Sequence, residues 1–365
     1  MGNRSIVAII LAIGALALVG CGSSGSSSTG SNSGASSPSN EGGGNNAAAS
    51  GYEGKTIGYI QPGPIPTFIE IGAAVKKWAE ANGMQYTDVV TPGVDVGQQV
   101  SAFQTLLSKN VDAIITPPLS GAALQPMIDR AHESGIAVGT LPAFGTKKNL
   151  TWGLYNDFET AAVEVVKLVA EELEAQGREC TVAIMAALPA FATTFAIQKG
   201  YEAGIEAAGC ELVDTKVDAP NTTASQTTIG SGWKTQFGSE LGAALVVNGN
   251  QGAVMAGLSG GGFEPLIVDT GSENNTIKLI REGKIFGDLG FPGVNYGEAA
   301  AYAMAQAIAG EEVPQVVYGG VPVLTKENVD KFITDEEQLE APPIEEFEWT
   351  QKGGKTYYEP EFFKK

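Results

Sequence analysis

Val111-Asp112-Ala113-Ile114-Ile115-Thr116 is a short run of mainly apolar residues, and Pro117-Pro118 follows it directly. An apolar run of this length that ends at prolines predicts a strand buried on both faces. Helical spacing precedes the run over residues 96–110 and follows it over residues 122–134. A buried strand between two helices is typical of a parallel sheet, because parallel neighbours need a crossover connection.

The same alternation extends outward in both directions. Further strands are predicted at residues 55–60, 84–90, 136–141, 181–186, 211–217, 243–247, 265–269, 285–289 and 316–322. Further helices are predicted at residues 68–82, 158–176, 193–208, 252–258, 274–282 and 296–309, with a Ser/Thr/Gly-rich helical region before residue 243. The pattern restarts after residues 151–157, which predicts an α/β fold of two Rossmann-like lobes with parallel sheets. In such sheets, ligands bind beyond the carboxyl ends of the strands.

The N-terminal residues 1–20 have the features of an export signal, with Arg4 ahead of a short apolar segment. The segment closes with Leu18-Val19-Gly20-Cys21, which resembles the lipobox of bacterial lipoproteins, whose Cys receives a lipid and becomes the new N-terminus. An ordinary signal peptide with an incidental Cys is the alternative. Residues 22–51 are almost all Ser, Gly, Asn and Ala, and this composition predicts a disordered tether. We therefore expect residues 21–51 to be a lipid-anchored tether.

Composition argues against several classes of function. A net charge of −19 disfavours binding to nucleic acid or to anionic lipid. His132 is the sole histidine, which weakens His-based metal sites and Ser-His-Asp triads together. Residues 257–261 fit G-x-S-x-G around Ser259, but a predicted helix precedes the serine where a nucleophile elbow needs a strand. We predict no enzyme activity, no cofactor and no metal site.

Several short stretches carry a resemblance to a known family. They are Lys55-Thr56-Ile57-Gly58, residues 110–115, residues 133–138, Arg281-Glu282-Gly283-Lys284 and residues 322–330. In order and spacing they resemble the type I periplasmic binding proteins, the ribose-binding-protein-like group of ABC importers, over about residues 55–334. The resemblance implies two lobes that close about three crossovers, near residues 153–158, 288–293 and 318–324. It implies an N-terminal lobe of residues 52–155 plus 292–318 and a C-terminal lobe of residues 156–291 plus 319–334.

The resemblance also implies a function. We expect a monomeric, exported lipoprotein on the outer face of a bacterial membrane, in the cell envelope or periplasmic space. It would capture a small molecule between its lobes and deliver it to the permease of an ABC importer. The alternative is a receptor of the same fold that passes a signal to a membrane partner.

The family's binding positions can be transferred onto this chain one by one. Phe68 matches a ring that stacks on sugars in relatives, although it could instead be the first core residue of its helix. Phe144, Phe195 and Phe291 fall at or near positions where relatives often carry polar sugar grips. The polar candidates are Gln61, Thr67, Thr116, Asn156, Asp157, Thr193, Asn248, Asn250 and Asp269. The ligand would be a sugar, a polyol or a less polar ring compound, unless the alignment has slipped by a residue or two.

Two features remain outside the resemblance. Cys180 and Cys210 each precede a predicted strand, and parallel neighbours begin at the same sheet edge, so we predict a disulfide between them. Two separate buried thiols are the alternative. Residues 335–365 form an acidic and aromatic C-terminal extension, whose aromatic end could pack back on the second lobe.

Overall fold

The computed structural model describes residues 51–143, 147–187, 192–345 and 347–365. Its strands are β1 (Thr56–Gln61), β2 (Gln85–Val90), β3 (Ala113–Thr116), β4 (Ala137–Thr140), β5 (Trp152–Asn156), β6 (Thr181–Ala186), β7 (Glu211–Val217), β8 (Ala243–Val246), β9 (Leu266–Thr270), β10 (Gly287–Leu289), β11 (Val316–Gly319), β12 (Val323–Thr325), β13 (Thr350–Lys352) and β14 (Lys355–Tyr358). Its helices are α1 (Pro66–Ala81), α2 (Val96–Ser108), α3 (Gly121–Glu133), α4 (Phe158–Ala175), α5 (Ala192–Ala208), α6 (Thr223–Gln236), α7 (Gly249–Leu258), α8 (Asn274–Arg281), α9 (Gly293–Ala309) and α10 (Asp335–Glu340).

The strands form two sheets. The first has the order β13-β14-β11-β5-β4-β3-β1-β2, and the second has the order β12-β10-β9-β8-β6-β7. All pairings are parallel except β13 with β14 and β10 with β12. We call the first sheet with its helices the first lobe, and the second sheet with its helices the second lobe. The predicted α/β fold with two parallel-sheet lobes is confirmed.

Between β1 and β12 the chain crosses between the sheets three times. It leaves the first sheet after β5, returns to it after β10 through α9, and leaves it again after β11. The crossings lie at residues 156–158, 289–293 and 319–323, as the resemblance implied. The single strand predicted over residues 316–322 is therefore wrong. Gly319 ends β11 in one sheet, and β12 begins at Val323 in the other.

Local sequence explains where the helices begin and end. Pro66 starts α1, and Asn82 followed by Gly83, with φ of +73°, ends it. The predicted apolar face of α1, which includes Val75 and Trp78, is buried. Asp95 caps α2 by accepting a hydrogen bond from the backbone N–H of Gln98 at 2.7 Å.

Glycines allow one close helix pair in each lobe. A Cβ at Gly297 of α9 would lie 2.6 Å from the carbonyl oxygen of Ile71 in α1. A Cβ at Gly200 of α5 would lie 2.4 Å from the carbonyl oxygen of Glu159 in α4. In each pair, one helix directly follows a crossing: α9 follows the second crossing and α4 follows the first. The close packing therefore fixes the position of each crossing against its lobe.

The C-terminal extension lies mainly on the first lobe. β14 pairs with β11, and Trp349 packs its ring 6.3 Å from that of Trp152. Only the last aromatic residues, Phe362 and Phe363, pack against the core of the second lobe. The packing on the second lobe that the sequence suggested is thus found for Phe362 and Phe363, whereas β14 satisfies the unpaired backbone groups at the edge of β11 in the first sheet.

A disulfide joins Cys180 and Cys210, whose Cα atoms are 4.8 Å apart. They lie directly before β6 and β7, which are neighbours in the second sheet. Cys21 lies outside the described residues. Among the helices that are described, none is long and apolar enough to cross a membrane.

Candidate functional site

The carboxyl ends of the parallel strands meet where the chain crosses between the lobes. In the first lobe, the loops that follow β1, β3 and β4 are residues 62–65, 117–120 and 141–143. In the second lobe, the loops that follow β7, β8, β9 and β10 are residues 218–222, 247–248, 271–273 and 290–292. Because ligands of open α/β folds bind at such ends, these loops and the crossings define the candidate cleft.

Asn156 is the residue with the most unusual environment in this region. It ends β5 at the first crossing, and only 1% of its surface is exposed. Its backbone N–H donates to the carbonyl oxygen of Pro142 at 3.2 Å. Within the described residues, however, neither its Oδ1 nor its Nδ2 has a hydrogen-bond partner. Each buried unpaired group is destabilising by about 1–3 kcal/mol, so this amide is able to gain from a bound hydroxyl.

A polar network that sequence reasoning missed lies at the cleft end of the second lobe. Asp218 follows β7 and is 2% exposed. Its Oδ1 accepts from the backbone N–H of Asn221 at 3.1 Å and from the Ser225 hydroxyl at 2.5 Å. Its Oδ2 accepts from Gln251 Nε2 at 3.2 Å. The position of Asp218 directly after a strand was the one signal in the sequence that could have identified it.

Gln226 extends this network from α6. Its Nε2 donates to Asn221 Oδ1 at 3.1 Å and to Asn250 Oδ1 at 3.3 Å. Its Oε1 is buried and has no partner within the described part of the chain. Asn250, one of the predicted ligand residues, is exposed at the start of α7. The second lobe therefore presents a network of amides and a carboxylate, in which Gln226 Oε1 is still able to accept a hydrogen bond.

Two predicted polar ligand residues are occupied by bonds within their own lobe. The Thr116 hydroxyl accepts from Gln99 Nε2 at 2.9 Å. Asp269 accepts from the Thr276 hydroxyl at 2.7 Å and from the Gly252 backbone N–H at 3.2 Å. These bonds tie β3 to α2, and β9 to α7 and α8.

The predicted aromatic walls occupy different environments. Phe291 is 6% exposed and stacks on Phe158 at a ring distance of 6.1 Å, so it is a core residue at the hinge. Phe68 is partly buried against the same core. Phe195 is 40% exposed, and the Lys199 ammonium lies 4.8 Å from its ring. Phe144 lies outside the described residues.

The remaining predicted residues lie around the rim of the cleft. Gln61 donates to the carbonyl oxygen of Gly63 at 3.1 Å. Asp157 caps α4 by accepting from the Thr160 N–H at 3.3 Å. The Asn248 N–H donates to Gln251 Oε1 at 3.1 Å. Thr67 and Thr193 are partly exposed near the starts of α1 and α5.

Negative charge surrounds the cleft. Asp95 lies in the loop after β2, and Asp157, Asp218 and Glu273 follow β5, β7 and β9. The described part of the loop after β4 also carries Lys147 and Lys148. Burial, together with the nearby Glu70 carboxylate, raises the pKa of Glu273. Burial and the same Glu70 also raise the pKa of Asp335, which accepts from the Val294 N–H at 3.1 Å. These carboxylates would repel an anionic ligand.

Other candidate sites are weaker. A groove of about 860 Å³ runs along α4 and α5, but Cys180 lines it, at the strand end opposite the cleft. Size alone does not make it the ligand site, because the crossings and unpaired amides lie elsewhere. Ser259 follows α7 and precedes a glycine-rich loop, which is not the strand–serine–helix geometry of a hydrolase. In the described residues, no group of three His, Cys, Asp or Glu side chains could hold a metal ion.

Comparison with known proteins identifies relatives that bind small solutes. The model of the periplasmic binding protein domain family matches residues 57–312. A xylitol-binding protein of Mycolicibacterium smegmatis is 24% identical over 248 residues, which cover 66% of this chain and 68% of that protein.

Solved structures share the fold. An ABC transporter solute-binding protein from Burkholderia graminis, in complex with D-arabinose, aligns with a TM-score of 0.69 at 21% identity, covering 76% of this chain and 96% of the other. A periplasmic ribose ABC transporter protein from Conexibacter woesei aligns with a TM-score of 0.66 at 20% identity, covering 76% and 94%.

Proposed function

The chain belongs to the periplasmic binding protein domain family, and we propose that it is an extracytoplasmic lipoprotein that captures a small solute for an ABC importer. The observation that carries the proposal is the arrangement of two parallel sheets whose carboxyl ends meet at three chain crossings. Two lobes on such a hinge are able to close around a solute. Lipid on Cys21 would hold the protein at the membrane beside the permease.

We propose that the solute is an uncharged, hydroxyl-rich molecule such as a polyol or a sugar. Two buried amides, Asn156 and Gln226, have unpaired hydrogen-bonding atoms, and the carboxylates of Asp218 and Glu273 lie in the surrounding loops. A hydroxyl both donates and accepts, so it suits an amide better than a charged group does. Relatives described as binding xylitol and D-arabinose support this class.

The contact residues that we propose are Asn156, Asp218, Gln226, Asn250 and Phe195, with Phe68, Gln61, Thr67, Asp157, Thr193 and Asn248 around them. This set omits Thr116, Asp269 and Phe291, which serve the lobes themselves. Phe144 stays a candidate from the sequence alone.

Native mass spectrometry of the full chain, purified without denaturation, tests the proposal. We expect a copurifying neutral solute, and we expect Asn156→Leu to lose it, because leucine keeps the volume but offers no hydrogen bond. His132→Ala is the control, since His132 is exposed at the end of α3. A copurifying anion, or full retention by Asn156→Leu, would contradict the proposal.

A ligand-sensing receptor of the same fold is the second candidate, because the fold serves either role. Reconstitution of the lipidated protein with a candidate permease and its ATPase separates the two. Solute-dependent ATP hydrolysis and uptake support the importer. Solute binding without stimulation of any such permease would favour the receptor.

A further inference from the structure

The chain beyond the second lobe forms a belt, defined here as residues 334–345 and 347–365. Val329 and Phe332, just before the belt, are buried in the core of the second lobe. Thr334 then caps α10, and Asp335 in its first turn accepts from the Val294 N–H of α9 at 3.1 Å. The belt therefore begins on the second lobe and reaches the first lobe within two residues.

The next part of the belt is held firmly on the first lobe. Lys77 Nζ of α1 donates to the carbonyl oxygen of Gln338 at 2.7 Å, and Trp78 Nε1 donates to that of Ile344 at 2.9 Å. The Ile344 N–H donates to Glu298 of α9 at 2.9 Å. Glu298 is 2% exposed and pairs with Lys77 at 2.8 Å, so this anchor is shielded from solvent.

A hairpin then extends the first sheet. Phe347 stacks on Tyr302 of α9 with ring centres 4.8 Å apart. β14 pairs with β11 through Tyr357 opposite Tyr318 and Tyr358 opposite Gly319. Gly319 is also the last residue before the third crossing, so the hairpin is bonded directly to a hinge segment.

The end of the belt returns to the second lobe. The Ile333 N–H donates to the carbonyl oxygen of Phe362 at 2.9 Å, and the Lys364 N–H donates to that of Lys331 at 2.7 Å. The Phe363 ring lies 6.2 Å from that of Phe332. Tyr358 is thus fixed to one lobe and Phe362 to the other. Four residues of chain span at most about 14 Å, so this return is a short tether.

We propose that the belt is a built-in restraint on hinge motion. It adds two connections between the lobes, at residues 333–335 and 358–362, to the three crossings. The added connections narrow the range of interlobe distances in the ligand-free protein. Less conformational freedom is then lost on closure, which favours binding. The effect on binding rests on the proposed function, but the restraint itself does not.

Pulsed electron paramagnetic resonance on the ligand-free chain tests the restraint. Spin labels at Val90→Cys and Val217→Cys report the interlobe distance, because both side chains are 51% exposed at the cleft ends of β2 and β7. Cys21→Ala removes a competing thiol, and Cys180 and Cys210 are tied in the disulfide. The protein is first unfolded and dialysed to remove bound solute.

Phe363→Ala removes a contact on the second lobe, and Tyr357→Ala is the matched control on the first lobe. We expect Phe363→Ala, and a chain ending at Tyr358, to give a broader distribution that extends to longer distances. Tyr357→Ala should keep the parent distribution. If Phe363→Ala also keeps it while remaining folded by circular dichroism, the restraint is overturned. Because no solute is present, this result is separate from any failure of the proposed function.

Discussion

Asp288 is a buried carboxyl group beside another, since it lies opposite Asp269 in the neighbouring strand. Its Oδ2 accepts from the Ser272 N–H at 2.9 Å, while Oδ1 has no partner in the described part of the chain. Burial raises the pKa of Asp288 to about 7, and Glu273 contributes to the rise. The folded chain therefore holds this proton more tightly than the unfolded chain does.

We expect this proton to make stability depend on pH. The free energy of unfolding should fall by about 2–4 kcal/mol as the pH rises from about 4 to about 7, and then level off. Asp288→Asn should remove that part of the fall, because the amide stays neutral. Asp330→Asn is the control, since Asp330 is 81% exposed. Urea unfolding at several pH values is the measurement, and an unchanged pH profile in Asp288→Asn would contradict the assignment.

Truncation of Phe291 should affect mainly stability, whereas truncation of Phe195 should affect mainly solute affinity. Phe291→Ala should lower the free energy of unfolding by about 3–5 kcal/mol, because the ring packs on Phe158 and Tyr296. Phe195→Ala should change stability little, because the ring is 40% exposed. It should instead weaken solute binding by about 1–3 kcal/mol, as should Phe68→Ala. Unfolding curves and calorimetry on the three variants measure these effects. If Phe68→Ala and Phe195→Ala bind the solute as tightly as the parent protein, the aromatic wall is excluded.

At the scale of elements, local pattern predicted most of the fold. The bounds of β6 and β7 were predicted to the residue, because their β-rich runs are bracketed by a cysteine and by loop residues. The start of α9 was placed three residues late, since Gly293 and Asn295 are poor helix formers. Packing against α1 and capping by Asp335 stabilise that first turn, and neither is visible in a local window.

The disulfide between Cys180 and Cys210 should contribute stability and leave binding intact. It closes a loop of 30 residues, for which about 2–4 kcal/mol is typical. It precedes β6 and β7, at the ends of these strands opposite the cleft. The double variant Cys180→Ser, Cys210→Ser should therefore unfold at lower urea concentration but retain the copurifying solute. Unchanged stability, or loss of solute from a variant that remains folded, would contradict this role.

At the scale of the whole molecule, the fold could be predicted from the chain, but the contacts of its buried polar side chains could not. The resemblance implied the three crossings, and the order of the strands in the two sheets agrees with it. The hydrogen-bond partners of buried side chains could not be predicted, because they belong to elements that are distant in the sequence. Asp218 and Gln251 are an example, since 33 residues separate them. The belt was missed for the same reason, since its anchors Lys77 and Glu298 lie far away in sequence.

A further prediction for the whole molecule concerns its attachment to a membrane. The export signal and Cys21 predict that the folded lobes are held at a membrane by lipid and not by a spanning helix. Cys21→Ala should therefore move the protein from the membrane fraction to the soluble fraction or leave an uncleaved precursor. The Cys180→Ser, Cys210→Ser variant is the control, because it alters cysteines without touching the anchor. Mass spectrometry of the mature N-terminus completes the measurement, and an N-terminus elsewhere that carries no lipid would refute the anchor.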